Sequence, residues 1–201
     1  MRATALILCG GRATRMGGVD KPLQPFQGRA LVEHVIARVA PQTDGRVLIS
    51  ANRHLDDYAR LGHPVLTDTL PDFPGPLAGI LAGLDALPDD DWLLVVSGDS
   101  PWLPEDLLAR LAGGLAPGHT AAMAMGREAP GEPLRPQPLA SLILARHRDA
   151  LADALRSSER RVAGWLRTLP LSLVDFDQPR DEHAFANIND RSELERLERL
   201  R

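Results

Sequence analysis

Lysine is nearly absent from this 201-residue chain: of 23 Lys and Arg side chains, one is lysine, Lys21. Cysteine is down to a single residue, Cys9, which excludes an internal disulfide and a cysteine-built zinc site. Aromatic residues make up 4%, too few for the stacking platforms of single-strand nucleic-acid binders, and a formal net charge of −4 gives no electrostatic footprint for a duplex. No apolar run approaches the roughly 20 residues that cross a bilayer. The opening "MRATALILCGG" runs into glycines rather than a small-residue cleavage site, so it reads as a buried strand and not a signal peptide. The six histidines (34, 54, 63, 119, 147 and 183) show no metal-ligand spacing, although His54 beside Arg53 is placed to line a pocket. Two familiar nucleotide fingerprints are also missing. There is no G-x-G-x-x-G, and no G-x-x-x-x-G-K-[ST], because Lys21 follows Asp20 and precedes Pro22. What remains is a cytoplasmic protein without nucleic-acid or membrane partners, whose anionic ligand would have to be met by local charges.

With 44% hydrophobic and 25% charged residues, the chain suits one soluble domain with a sizeable core. Short continuous apolar runs at 3–9, 46–51, 64–67 and 92–97 read as strands covered on both faces. Between them lie helical spacings: Leu31/Val32, Val35/Ile36 and Val39, stopped by Pro41; then Leu77, Ile80/Leu81, Leu84 and Leu87, opened by Pro76; then Leu107/Leu108, Leu111 and Leu115 after Pro104. Alternation of this kind means βαβ units and a mostly parallel sheet flanked by helices. Beyond Gly118 the spacing predicts strands "TAAMAM" and "PLASLIL" around a Pro/Gly-rich loop at 126–138, helices at about 146–156 and 159–168, and strand "LSLVDF". Asp190 with Glu193 three residues on is a capping-box pattern that announces a terminal helix. In such an α/β fold, ligands are expected at the carboxyl ends of the strands.

Gly10, Gly11, Gly17 and Gly18 flank residues 12–16 directly after the first strand. Glycines let backbone N–H groups approach a phosphate, and a following helix N-terminus adds positive potential. Arg12, Arg15 and Lys21 fall within the same ten residues. Lysine differs from arginine where a compact point charge must fit a narrow space beside an anion, which gives a reason for the one lysine to stand here. Cys9, ending a buried strand with no base partner in view, reads as packing and not as a nucleophile.

The segment "LCGGRATRMGGVDK" resembles the opening signature of the molybdenum cofactor guanylyltransferases, through Leu8, Gly10, Gly11, Arg15, Met16, Gly17 or Gly18, Asp20 and Lys21. Cys9 departs from it, standing where that family has alanine. The resemblance implies a Rossmann-like three-layer nucleotidyltransferase fold in one domain over 1–201, with a nucleotide-binding half at about 1–117 and a pterin-binding half at about 118–201. It continues through "SANRH", giving Asn52 to the guanine nucleotide, and "VLTDTLPDFPGPLAG", giving Asp68 to the nucleotide and Gly75, Pro76 and Leu77 to the base pocket. "VVSGDSPWLP" is similar to the strand-end motif whose aspartate, here Asp99, holds Mg²⁺. "ANIND" resembles an element near the pterin, giving Asn187 and Asn189, and Gln137 in "RPQPLA" is a further pterin-side candidate. The only three asparagines of the chain are Asn52, Asn187 and Asn189, all inside these segments. On this reading Leu8, Cys9, Gly10, Gly11 and Lys21 surround GTP, while Lys21, Arg15 and Asp99 carry the chemistry.

The implied reaction is transfer of GMP from Mg²⁺-GTP to the phosphate of molybdopterin, with release of pyrophosphate. Transient partners would be other molybdenum cofactor biosynthesis proteins and recipient molybdoenzymes. Three alternatives stay open: a CTP-dependent cytidylyltransferase for the same pterin, a related nucleotidyltransferase acting on a sugar phosphate, and a non-catalytic carrier of the finished cofactor. Each site residue also has a plain structural reading: Asp68 as the cap of a turn, Asp99 as a loop residue, and the arginines "ERR" (159–161) as a solvated face.

Overall fold

The computed structural model describes residues 1–9, 20–68 and 75–186. Their core is a seven-stranded sheet in the order β5-β4-β1-β6-β8-β7-β9. In chain order the strands are β1 (Ala3–Leu8), the short pair β2 (Pro25–Phe26) and β3 (Arg29–Ala30), β4 (Val47–Ser50), β5 (Val65–Leu66), β6 (Trp92–Ser97), β7 (Ala121–Gly126), β8 (Arg135–Leu144) and β9 (Leu171–Asp175). The helices are α1 (Leu31–Val39), α2 (Leu55–Ala59), α3 (Pro76–Asp85), α4 (Leu107–Gly113), α5 (Arg148–Arg156) and α6 (Val162–Leu166). Only β8 runs against the rest of the large sheet; β1 pairs in parallel with β4 and β6, β4 with β5, and β7 with β9. The expected mostly parallel α/β sheet is therefore what the chain forms.

Period-two alternation along β1 feeds two separate cores. Ala5, Ile7 and Cys9 pack on one face with Val32, Val35 and Val39 of α1, Tyr58 of α2 and Leu107 and Leu111 of α4. Leu6 and Leu8 pack on the other with Leu77, Ile80 and Leu84 of α3, Leu151 and Leu155 of α5 and Trp165 of α6. Both faces are covered, which is why these strands read as unbroken apolar runs. The buried face of α4 is tied to the last described segment by Arg110. Its guanidinium donates to both carboxylate oxygens of Asp181 at 2.8 and 2.9 Å and lies 3.8 Å over the Phe176 ring.

Several boundaries differ from the sequence expectation. The loop expected at 126–138 is shorter: Gly126 ends β7 and residues from Arg135 onward already belong to β8. The register jumps there, from Met123 opposite Ser141 to Ala124 opposite Gln137, leaving 138–140 without a β7 partner. Pro138 has no N–H to give a ladder, so the strand bulges around it and resumes. The helix expected at 159–168 is confined to Val162–Leu166, because the Glu159 carboxylate accepts the N–H groups of Arg160 and Arg161 at 2.8 Å each and holds them outside it. Similarly, α4 begins at Leu107, not at Pro104, and stops before Leu115. The terminal helix expected after Asp190 lies outside the described residues.

Candidate active site

The parallel register aligns three strand ends along one edge: Leu8 of β1 stands opposite Ser50 of β4 on one side and Ser97 of β6 on the other. Two pairs of polar residues sit just past that edge. The first spans β4 and β5. The Asn52 amide nitrogen donates to Asp68 Oδ2 at 2.7 Å, and the Asp68 N–H donates back to Asn52 Oδ1 at 3.0 Å. Asn52 is exposed and Asp68 half-buried, so the reciprocal pair can be reached by a ligand, which is more than a turn cap requires. The second pair spans β6 and the chain leaving the glycine-rich segment. Lys21 opens a 3₁₀ turn, Lys21–Leu23, and its Nζ meets Asp99 Oδ2 at 2.7 Å. The other oxygen, Asp99 Oδ1, accepts the Ser97 hydroxyl at 2.6 Å. Lys21 and Asp99, far apart in sequence, thus meet as a partly covered ion pair.

Strand β1 and helix α3 shape the floor between the pairs. The Leu8 and Cys9 side chains are buried, so each can face a ligand through its backbone only. The Cys9 N–H is spent on Ser50 O at 2.8 Å, and Leu8 O accepts the Gly98 N–H at 3.0 Å. Helix α3 starts at Pro76 after Gly75, whose φ of 149° and ψ of 172° belong to a region open essentially to glycine alone. Leu77 is a core side chain, leaving its position at the helix start as what it can offer. The helix comes this close because residue 79 is glycine: a Cβ there would stand 2.5 Å from Ser50 Oγ and 2.9 Å from a Leu8 methyl. A similar close approach puts Gly98 against Cys9, with a Cβ at 98 only 2.8 Å from the Cys9 sulfur.

Beneath the edge lies a buried polar cluster that the sequence reading overlooked. Asp20 is buried, and burial pushes its carboxyl above the ordinary range, opposed by a hydrogen bond from the Tyr58 hydroxyl and by the charges of His54 and Arg53. Tyr58, fully covered, also reaches Cys9 O at 3.5 Å. Burial, with Asp20 and Asp99 adding to it, pushes the Cys9 thiol far up, so it stays protonated and inert, as its sequence context suggested. The signal for Tyr58 was available: it is the only tyrosine, just as Lys21 is the only lysine. Ser97 lies inside "VVSGDSPWLP", where Asp99 alone drew a role.

Gln137, expected on a loop, is a buried strand residue whose amide donates to Gly126 O at 3.3 Å and Arg135 O at 3.4 Å. Ala140 pairs with Val96, so Gln137 lies past the same end of β6 as Asp99 does. Gly10, Gly11, Arg15, Asn187 and Asn189 lie outside the described residues. Among the described residues, no three His, Cys, Asp or Glu side chains gather into a ready metal cage. A single carboxylate oxygen site at a strand end nevertheless suits Mg²⁺, which keeps several waters and takes one or two carboxylates plus substrate phosphates. The donor set fits that ion.

A mostly parallel sheet with a hard carboxylate, a lysine and a ligand-accessible amide–carboxylate pair on its carboxyl edge defines a nucleotide-handling α/β enzyme. Residues 5–172 match the family described as "MobA-like NTP transferase domain", and the chain belongs to that family of nucleotidyltransferases. A relative from Ralstonia nicotianae is 47% identical over 199 residues, covering 96% of this chain and 95% of its own length, and is named molybdenum cofactor guanylyltransferase. One from Burkholderia orbicola with the same name is 46% identical over 200 residues, covering 96% and 94%. Among solved structures, molybdopterin-guanine dinucleotide biosynthesis protein A from Archaeoglobus fulgidus superposes with a TM-score of 0.75 at 22% identity, over 97% of this chain and 96% of its own. A nucleotidyl transferase from Methanothermobacter gives 0.69 at 20% identity, over 98% and 96%. These two support the fold. Among the described residues no helix is long and apolar enough to cross a membrane.

Proposed function

We propose that this chain transfers GMP from GTP to the terminal phosphate of molybdopterin and releases pyrophosphate, in the cytoplasm and with Mg²⁺. The observation that carries this reading is that two polar pairs, Lys21 with Asp99 and Asn52 with Asp68, share one sheet edge. One is built for phosphates and a cation, the other for a base or ribose. The names of the relatives direct the choice of guanine nucleotide and of pterin.

In the reaction a pterin phosphate oxygen forms a bond to the α-phosphorus as the bond from that phosphorus to the bridging oxygen breaks, and the electron pair leaves with pyrophosphate. Two anions must meet, so the protein's contribution is positioning and charge neutralisation. Asp99, with Ser97 on its other oxygen, would hold Mg²⁺, which when bound neutralises charge on the triphosphate oxygens. Lys21 is a point charge on a flexible stem, able to leave Asp99 and follow charge onto the departing pyrophosphate. Arg15, Gly10 and Gly11 would act on the same triphosphate. Asn52 and Asp68 would orient the guanosine, with the start of α3 at Gly75, Pro76 and Leu77 closing that side. The pterin would lie toward the half after residue 118, near Gln137, Asn187 and Asn189. Its handover implies brief contact with other cofactor-building proteins and with recipient molybdoenzymes.

The test is Mg²⁺-dependent pyrophosphate release from molybdopterin with GTP, CTP or ATP. Release with GTP alone is expected. Release mainly with CTP would move the base assignment, and absence of release while the cofactor binds would make the chain a carrier.

A further inference from the structure

The two oxygens of Asp99 are held differently. Oδ2 meets a lysine that, on the reading above, must leave for the triphosphate; Oδ1 meets a hydroxyl two residues back that has nowhere to go. Ser97 is the last residue of β6, locked in register opposite Leu8 of β1, so its Oγ is fixed by the sheet and not by a loop. Gly98 donates its N–H to Leu8 O, which pins the chain between the two side chains. At 2.6 Å this is a short, charge-assisted O–H···O⁻ bond. With Oδ1 so held, the plane of the carboxylate is set and Oδ2 is the oxygen presented outward. With that hydroxyl removed, the carboxylate is free to turn and offer both oxygens to the Lys21 ammonium.

We propose that Ser97 is a positioning residue: its hydroxyl orients the Asp99 carboxylate so that one oxygen is presented to a divalent cation instead of both closing on Lys21. The proposal rests on Asp99 being the cation ligand. It concerns a residue that the strand-end motif "VVSGDSPWLP" contains but to which the resemblance gives no role. Partners of ligating carboxylates commonly tune metal affinity ten- to a hundredfold.

The experiment measures Mn²⁺ binding by electron paramagnetic resonance to the full chain holding α,β-methylene GTP, which cannot be cleaved at the reacting bond. Ser97→Ala is expected to weaken Mn²⁺ binding by about tenfold, the low end of that range. In turnover assays the metal concentration for half-maximal rate should rise in parallel, with the rate at saturating metal within about twofold of the parent. Ser97→Thr keeps the hydroxyl and suits a strand, so it should restore Mn²⁺ affinity to within about threefold. A merely structural serine would move thermal stability and the rate at saturating metal, and would not give this split. Ser97→Ala binding Mn²⁺ as the parent does, or Ser97→Thr failing to restore it, would overturn the proposal. Asp99→Asn separates the two levels of the argument. If it weakens Mn²⁺ binding while Ser97→Ala does not, the role of Ser97 fails alone. If Asp99→Asn has no effect, the assignment of Asp99 fails and takes the role of Ser97 with it.

Discussion

Removing Lys21 should strengthen the binding of a bare divalent cation while it weakens catalysis. In the nucleotide-free protein the ammonium occupies Asp99 Oδ2 at 2.7 Å, with the two side chains 24% and 19% exposed. A cation can reach that oxygen only by displacing it. The net worth of a hydrogen bond to a charged group is about 1.5–3 kcal/mol, and the low end agrees with the Coulomb attraction of two charges at this distance in a water-like dielectric, about 1.5 kcal/mol. Lys21→Met, which keeps the length of the chain and drops the charge, should therefore tighten metal binding by roughly ten- to a hundredfold, at 1.4 kcal/mol per decade. The assay is a Mn²⁺ titration without nucleotide, comparing parent and variant at low salt. With Mg²⁺ and GTP the order should reverse, because the triphosphate has lost a counter-charge, and turnover should fall. Lys21→Arg should also lose turnover despite keeping the charge, since a planar fork cannot move between a carboxylate and pyrophosphate as a point donor does. Metal binding that is unchanged or weaker in Lys21→Met would refute the reasoning, because it would mean that the lysine and the cation do not compete.

Three further outcomes follow from the packing. Gly79→Ala would press a Cβ to 2.5 Å from Ser50 Oγ and 2.9 Å from Leu8, at a cost of about 1–3 kcal/mol for overpacking, read as a lower melting temperature together with weaker nucleotide binding as α3 is pushed off the sheet edge. Asp181→Ala removes a 2% exposed carboxylate and with it the bidentate partner of Arg110, whose side chain is 16% exposed and keeps the Asp175 carbonyl at 3.1 Å; breaking such a pair costs about 3 kcal/mol, the low end for buried pairs, or on the order of 10 °C in melting temperature for a chain of this size. Tyr58→Phe removes the hydrogen bond that holds the Asp20 carboxyl down against burial, so that carboxyl rises further. A carboxyl raised by folding binds its proton more tightly in the folded state, so stability is greatest below the ordinary carboxylate range and is lost as pH rises through the folded value. The gap in melting temperature between Tyr58→Phe and the parent should accordingly be wider at pH 7 than near pH 4; an equal gap at both would show that Asp20 does not feel the hydroxyl.

The fold was legible where burial on two faces left its mark. Strands β1, β4 and β6 are apolar on both faces of the pleat apart from Thr4 and the closing Ser50 and Ser97, because helices cover both sides, and Pro76 marks the start of α3 to the residue. It was illegible where one side chain decided a boundary. Prolines at 136 and 138 look like loop residues in sequence, yet Pro136 sits opposite Met125 within the ladder and Pro138 sits in the bulge, where the missing N–H costs no bond to β7. Likewise Glu159 looks like a first-turn helix residue, and by capturing two N–H groups it delays the helix it would have joined.

The site divides along the same line. Asp99, Asp68 and Asn52 were visible through the segments that carry the family resemblance; each follows the end of a strand, and the parallel register brings those strand ends to one edge without further instruction. Lys21 was visible through rarity. What the sequence could not supply was pairing: that Asn52 and Asp68 bond to each other, that Lys21 sits on Asp99, and that Tyr58 reaches back to Asp20. These pairs impose a physical condition on function. Among the described residues, Lys21 and Asp99 satisfy each other and so do Asn52 and Asp68, so these groups are not left bare at the edge of the sheet. A nucleotide must therefore bind by exchange, offering phosphates to Lys21 as a cation takes its place on Asp99. A triphosphate carrying its own cation completes both halves of that exchange at once. A free nucleotide or a free metal completes only one, and should bind correspondingly less well.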